Sequence, residues 1–204
     1  MKSIHLIFLF FLNTFLSPVS AAVITGNEAP DFTLLDSNGK QVSLSYFKGK
    51  PIVLEWTNHE CPFVAKHYSS GNMQNTQQKS IESGAIWISI ISSAPGTQGY
   101  VTNEKANLLT ESRNAHPNHV VFDEEGTIGQ LYEAKTTPHM YIIDAKGILR
   151  YQGAIDSAGG RGFVFKDLLK ANNYVLNALN EINNNDEVTD HTTEPYGCSV
   201  KYKS

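Results

Sequence analysis

The strongest constraint on this chain is an alternation. Three short runs are nearly continuous in apolar residues: Ile52 to Trp56, "AIWISIISS" (85–93) and "HVVFD" (119–123). A strand that is apolar on both faces must be covered on both faces, which calls for helices above and below a sheet. The intervening sequence supplies them. Pro62 suits the first turn of a helix, where its missing N–H costs nothing, and the pattern carries that helix to about Ser83 with Gly71 as the place where it can break. A polar helix over about Asn103 to Arg113 follows the loop "APGTQGY", and Thr127 is placed to cap a short helix through Tyr132.

Both ends of this core carry hairpins. Phe32 to Leu35 and Gln41 to Leu44 alternate around the turn Ser37-Asn38-Gly39-Lys40, and "HMYIID" and "ILRYQG" flank Ala145-Lys146-Gly147. A last helix over about Phe165 to Ile182 presents Leu168, Leu169, Val175, Leu176 and Leu179 on or near one face. The expected fold is α/β, a mixed central sheet flanked by helices with an N-terminal β-hairpin extension. "DSAGGRG" (156–162) reads as a mobile loop, and "NNNDEVTDHTTEPYG" (183–197) as a flexible polar tether carrying Cys198.

Met1-Lys2 and the apolar run Leu6 to Leu16 are expected to form a signal peptide, with Val19-Ser20-Ala21-Ala22 as the cleavage zone; the run is too short to span a bilayer. Residues 1–22 therefore come away, residues 27–182 form one domain, and residues 183–204 form the tail. The expected location is periplasmic or secreted, without stable membrane insertion, in a compartment that permits disulfides. A net charge of −4 gives no nucleic-acid groove.

Chemistry concentrates at Cys61, one of two cysteines. It stands where a buried strand gives way to a helix, in the loop beyond a strand's carboxyl end, and a helix N-terminus favours an anion. A thiol of pKa near 8.5 is about 3% thiolate at pH 7, and one near 6 is about 90%. That shift takes about 3.4 kcal/mol. A helix end contributes only about 0.3 to 2 kcal/mol, so a donor or cation must add the rest. Thr57, Asn58, His59 and His67 are near in sequence, and Glu60 opposes the shift unless it points away. The bland alternative is a Cys61–Cys198 staple, which the chain-entropy argument values at about 4 to 5 kcal/mol.

"APDFTLLDSNGKQVSLSYFKGKPIVLEW", Cys61-Pro62 and "TTPHMYIIDAKGILRYQG" together resemble the thioredoxin fold in its peroxiredoxin-like (redoxin, AhpC/TSA-type) branch, over about residues 27 to 182. Within that branch, "CPFVAKHY" (61–68), "GNMQ" (71–74), "SAPGTQGY" (93–100), "AKTTPHM" (134–140), "GAID" (153–156) and "YGCSVKY" (196–202) resemble an exported subgroup. The resemblance implies a cis Thr137-Pro138 peptide facing Cys61. It departs from relatives at Val64, where a Cys-x-x-Cys pair would have its second cysteine, and at Asn58, where peroxiredoxins carry Thr; Thr57 lies one residue further back. The family's active-site Arg has no matching motif, leaving Arg113, Arg150 and Arg161 as candidates.

The function this implies is a thiol oxidoreductase. Cys61 attacks a peroxide or disulfide, Cys198 resolves the product, and Asn58, Thr57 and backbone N–H groups support the leaving atom. Thr137, Pro138, Trp56 and Pro62 shape the groove. A thioredoxin-like thiol reductant is the expected electron donor, no cofactor is expected, and the two cysteines meet within one chain or across a homodimer. The alternative is a non-catalytic domain binding copper, zinc or a partner, with Cys61, His59, His67, His139 and Cys198 as the metal-ligand candidates.

Overall fold

The computed structural model describes residues 23–159 and 168–203. The expected signal peptide, Arg161 and Phe165 lie outside them.

Strands β1 (Thr33–Leu35) and β2 (Gln41–Ser43) form the N-terminal hairpin, with Leu34 opposite Val42. Asp36 closes its turn by accepting from the N–H groups of Asn38 and Lys40, each at 2.9 Å. Next come β3 (Ile52–Trp56), α1 (Pro62–Ser69), α2 (Asn72–Glu82) and β4 (Ile86–Ile91). The single helix expected over this stretch is two, because Gly71 adopts φ +77, which breaks the first and starts the second.

The chain continues through α3 (Asn103–Ser112), β5 (His119–Phe122), α4 (Thr127–Leu131), β6 (Thr136–Thr137), β7 (His139–Ile143), β8 (Leu149–Gly153), α5 (Tyr174–Asn183) and β9 (Cys198–Ser199). Thr127 does not cap α4. Gly126 occupies the cap position, and the Asp123 carboxylate accepts from Ile128 N–H at 3.1 Å and Gly129 N–H at 2.8 Å. The last helix begins at Tyr174, later than its apolar pattern implied; Leu168–Lys170 form a separate 3-10 turn.

The central sheet has the order β5-β4-β3-β7-β8, with β3 parallel to β4 and antiparallel to β7. All five residues of β3 are buried, as its apolar run required. Its side chains divide between two cores. Val53 joins Trp87, Met140 and Tyr151 under α1, α2 and α5, while Leu54 and Trp56 join Ile88, Ile90 and Tyr141 on the opposite face. This is the expected thioredoxin-like mixed sheet between helical layers.

The expectation of mobility over 156–162 does not hold for 156–159, residues 160–162 lying outside the described residues, and the flexible tail does not hold. Asp156 and Ala158, at the start of "DSAGGRG", are buried, and Ala158 N–H donates to Asp156 at 2.9 Å. The segment from 183 is not a free tether either. Val188 is buried, Thr192 bridges to Gln152, β9 pairs antiparallel with β6, and the Tyr202 hydroxyl donates to Ala134 O at 2.7 Å. Its polar composition misled because the anchors are backbone bonds and widely spaced side chains such as Val188 and Tyr202, which leave no periodic signature. No helix among the described residues is long and apolar enough to cross a membrane.

Candidate active site

Cys61 is the N-cap of α1, in extended backbone (φ −73, ψ 123), with Pro62 as the first helical residue beside it. Its carbonyl receives Ala65 N–H at 2.8 Å, so the helix starts at the sulfur-bearing residue. The loop before it is rigid. Asn58 Oδ1 accepts from Glu60 N–H at 2.9 Å, Asn58 Nδ2 donates to Gln98 O at 3.3 Å, and Cys61 N–H donates to Asn58 O at 3.1 Å. Gly99 packs directly on that amide, where any side chain would collide with it. Glu60 turns away to accept from Gly99 N–H at 2.7 Å, so its charge is spent on the loop.

The second side of the site is the cis Thr137-Pro138 peptide. The Cys61 thiol donates to Thr137 O at 3.1 Å. The third side is the carboxy-terminal strand, in which Cys198 is the register partner of Thr137. Gly197 makes that approach feasible, because its backbone lies against the Thr137 carbonyl where a Cβ has no room. Thr137 thus touches both cysteines, and both are free thiols.

Cys61 is fully buried, although it stands beyond a strand's carboxyl end, where ligands ordinarily collect. Burial alone would push its pKa up. Hydrogen bonds from the Cys198 thiol, the Thr137 hydroxyl and the Cys198 backbone outweigh that and hold the pKa below the usual thiol value. The Val64 amide adds a favourable contact without closing a capping bond. Cys198 moves the other way, up to about 12, through burial and then its neighbour Cys61. The two shifts run in opposite directions, so Cys61 is the thiol that gives up its proton more readily.

Other predicted site residues separate from the sulfur. Trp56 points into the opposite core, fully buried, with Nε1 donating to Ser92 Oγ at 3.0 Å and its ring 5.0 Å from Tyr141; alternation along β3 puts it on the wrong face for a groove. The Thr57 hydroxyl serves the buried Glu55, whose carboxylate also receives Ser89 Oγ at 2.8 Å and Trp87 Nε1 at 2.9 Å; burial raises the Glu55 pKa. Both Asn58 side-chain atoms are committed to the loop, so Asn58 shapes the turn.

The basic candidates are also engaged elsewhere. Arg113 lies 5.0 Å over the Tyr68 ring and donates to His59 O at 3.1 Å, and Arg150 pairs with Asp144 at 3.2 Å. His139 is held neutral, its pKa driven down to about 3 by burial, with Nδ1 accepting from Lys135 N–H and close to the Tyr141 hydroxyl at 3.1 Å. Among the described residues no three His, Cys, Asp or Glu side chains are grouped to hold a metal ion.

A polar ring beside the site went unnoticed in the sequence. Asn72 Nδ2 donates to His67 Nδ1 at 2.9 Å and to Asp156 Oδ2 at 2.9 Å, His67 Nε2 lies 3.0 Å from the Tyr196 hydroxyl, and that hydroxyl donates to Asp156 Oδ1 at 2.5 Å. With Asn72 donating to Nδ1, the proton of the neutral imidazole is on Nε2 and every bond in the ring is satisfied. Burial lowers the His67 pKa, more than the Asp156 charge restores, and burial then the Asp156 charge raise that of Tyr196, so the phenol keeps its proton. The signal was present in the motifs: "CPFVAKHY", "GNMQ", "GAID" and "YGCSVKY" each contribute one member.

Comparison with known proteins gives the family and the fold. A model described as the AhpC/TSA family matches residues 25–152. Peroxiredoxin Q, chloroplastic, from Triticum aestivum is 31% identical over 134 residues, 65% of this chain and 60% of its own length. Thiol-disulfide oxidoreductase ResA from Bacillus subtilis is 23% identical over 133 residues, 62% of this chain and 65% of its own length. The match thus spans about 60% of the peroxiredoxin Q chain. A solved structure of a hypothetical protein from Sinorhizobium meliloti superposes with TM-score 0.76 at 20% identity, covering 90% of this chain and 97% of that one, a likeness of fold.

Proposed function

The chain belongs to the AhpC/TSA family, and from that premise we propose that it is an exported thiol oxidoreductase with Cys61 as nucleophile and Cys198 as resolving thiol. The observation that carries this reading is the register of β9 on β6, with Cys198 opposite Thr137 and the Thr137 carbonyl 3.1 Å from the Cys61 sulfur. It favours resolution within one chain over exchange across a homodimer.

With a hydroperoxide, the Cys61 thiolate attacks the terminal oxygen. The O–O bond breaks, an alcohol or water leaves with a proton, and Cys61 becomes a sulfenic acid. Cys198 sulfur then bonds to Cys61 sulfur as the S–O bond breaks, and the hydroxyl leaves as water with the Cys198 proton. With a disulfide substrate, Cys61 forms a mixed disulfide and releases one thiolate, and Cys198 displaces the second. An external dithiol of thioredoxin type returns both cysteines to thiols in either case. Thr137 and Pro138 wall the sulfur and Pro62 lies exposed beside it. The N-terminal apolar run supports export.

The experiment is mass spectrometry of the full chain after one equivalent of hydroperoxide or of a small disulfide. The expected product is an intramolecular Cys61–Cys198 bond, absent in Cys61→Ser and replaced by a trapped Cys61 adduct in Cys198→Ser. Wild type unreactive toward both oxidants would refute it. The full burial of Cys61 favours a second reading, a structural staple; that version predicts a reduction potential below about −300 mV and a melting temperature that drops on reduction.

A further inference from the structure

We propose that Tyr196 is the positioning residue that seats Cys198 over Cys61, through a hydroxyl held between His67 and Asp156. This rests on the resolving role given to Cys198 above. Strands β6 and β9 are two residues each. A two-stranded pairing of that length does not hold itself in water, so the placement of Cys198 must be imposed from outside the ladder. Tyr196 is the side-chain anchor two residues before it, as the Val200 amide on Lys135 O is the backbone anchor two residues after. At about 3.3 Å of rise per extended residue, a fixed Tyr196 leaves Cys198 little room to wander.

The seat for Tyr196 is built by the body of the protein. Asp156 accepts a hydrogen bond from its hydroxyl at 2.5 Å and His67 Nε2 stands 3.0 Å away on a fully buried ring. Phe63, two residues after Cys61, meets the phenol ring edge-on with centroids 6.0 Å apart. Gly159 also lies against the ring, where a Cβ would strike it. The elements that carry the nucleophile and the buried acid therefore also grip the tail at Tyr196. Tyr202, four residues beyond Cys198, fastens to Ala134 O on the far side and does not touch this ring.

The step affected is closure: Cys198 sulfur bonds to Cys61 sulfur while the sulfenic hydroxyl leaves as water, the two electrons having gone to the hydroperoxide in the step before. Removing the Tyr196 hydroxyl strands two buried partners and loosens the seat, lowering the closed fraction.

The test uses the full-length reduced protein as wild type, Tyr196→Phe, Gly159→Ala and Tyr202→Phe, all checked for folding by far-UV circular dichroism. Cys61 alkylation by iodoacetamide is followed by mass spectrometry. After one equivalent of hydrogen peroxide, dimedone traps sulfenic acid in competition with closure. In Tyr196→Phe we expect Cys61 alkylation to accelerate by about 5- to 150-fold and closure to slow measurably, with dimedone-labelled Cys61 accumulating. Gly159→Ala, whose Cβ displaces the same ring, should repeat the pattern, and Tyr202→Phe should remain near wild type. The proposal is overturned by wild-type closure and alkylation rates in Tyr196→Phe, or by equal effects from Tyr202→Phe, which would mark general loosening of the tail. Wild type forming no Cys61–Cys198 bond at all removes the resolving reading itself, and this inference with it.

Discussion

Gly197→Ala tests whether the carboxy-terminal strand covers Cys61. Gly197 has φ +142, a region essentially reserved to glycine. A Cβ there would overlap the Thr137 carbonyl oxygen, with Thr137 C at 2.7 Å and Pro138 N at 3.3 Å. These obstacles are backbone on the site's fixed wall, so no side chain can rotate aside. The strain is about 1 to 3 kcal/mol, and the strand escapes it by lifting β9 away. The closed-to-open ratio then falls by about 5- to 150-fold. Because the closed form buries Cys61 completely, alkylation proceeds from the open form, and its rate should rise by the same factor when opening and closing are fast. Hydrogen exchange of the Val200 amide, which donates to Lys135 O at 3.1 Å, should accelerate in parallel. Wild-type rates of both alkylation and exchange in Gly197→Ala would refute the covering role of the strand, since the collision admits no other relief.

Three further outcomes follow from the same geometry. Cys198→Ala deletes a thiol donor to Cys61 and should raise the Cys61 pKa, read as the midpoint of thiolate absorbance near 240 nm, whereas Cys198→Ser, which keeps a hydroxyl donor, should raise it less. His139, with a folded pKa near 3 against about 6.5 unfolded, stays neutral while the unfolded chain takes up a proton. Its contribution is therefore complete above about pH 6.5 and is lost as pH falls toward 3, at up to about 1.4 kcal/mol per pH unit. Urea unfolding of His139→Gln should show a shallower acid slope than wild type, and identical slopes would contradict the assignment. Glu55→Gln keeps one acceptor oxygen for Ser89 and Trp87 but puts an amide N–H2 where the Tyr68 hydroxyl now donates, and should cost about 1 to 3 kcal/mol in urea unfolding while leaving the Cys61–Cys198 bond able to form.

The parts legible in the sequence are those with short-range physical signatures. Apolar runs identified β3, β4 and β5, and Pro62 with Gly71 marked where helices start and break, because each rests on local sterics or on burial of a contiguous run. The placement of Cys61 at a helix start was read from the strand-to-helix junction itself, and the cis Thr137-Pro138 peptide came through the resemblance; the structure contains both. Long-range placement was hidden. Trp56 and Thr57 are adjacent to the site in sequence yet serve the far core and the Glu55 cluster, since alternation along a strand sends neighbours to opposite faces. Asn58 proved a turn residue because its amide finds closer partners in its own loop. The tail looked unable to pack because it lacks periodicity, although Tyr196, Gly197 and Tyr202 were visible within its motif.

The tail also determines what the buried sulfur can do. A staple and a resolving couple need the same contact between Cys61 and Cys198, so proximity does not separate them. What separates them is the free energy of lifting the strand. Its anchors are a four-membered polar ring, a two-residue ladder and a few backbone bonds, including Ala94 N–H to Lys201 O at 2.9 Å. Opening at about 3 kcal/mol would expose Cys61 in roughly one molecule in 150. Chemistry would then run at that fraction of the intrinsic thiolate rate, with the resolving thiol returning as the strand recloses. Opening at the full unfolding free energy, about 5 to 15 kcal/mol, would leave the sulfur inert and the disulfide permanent. Native-state hydrogen exchange at Val200 reads that energy directly, and a value equal to global unfolding would assign the couple to structure.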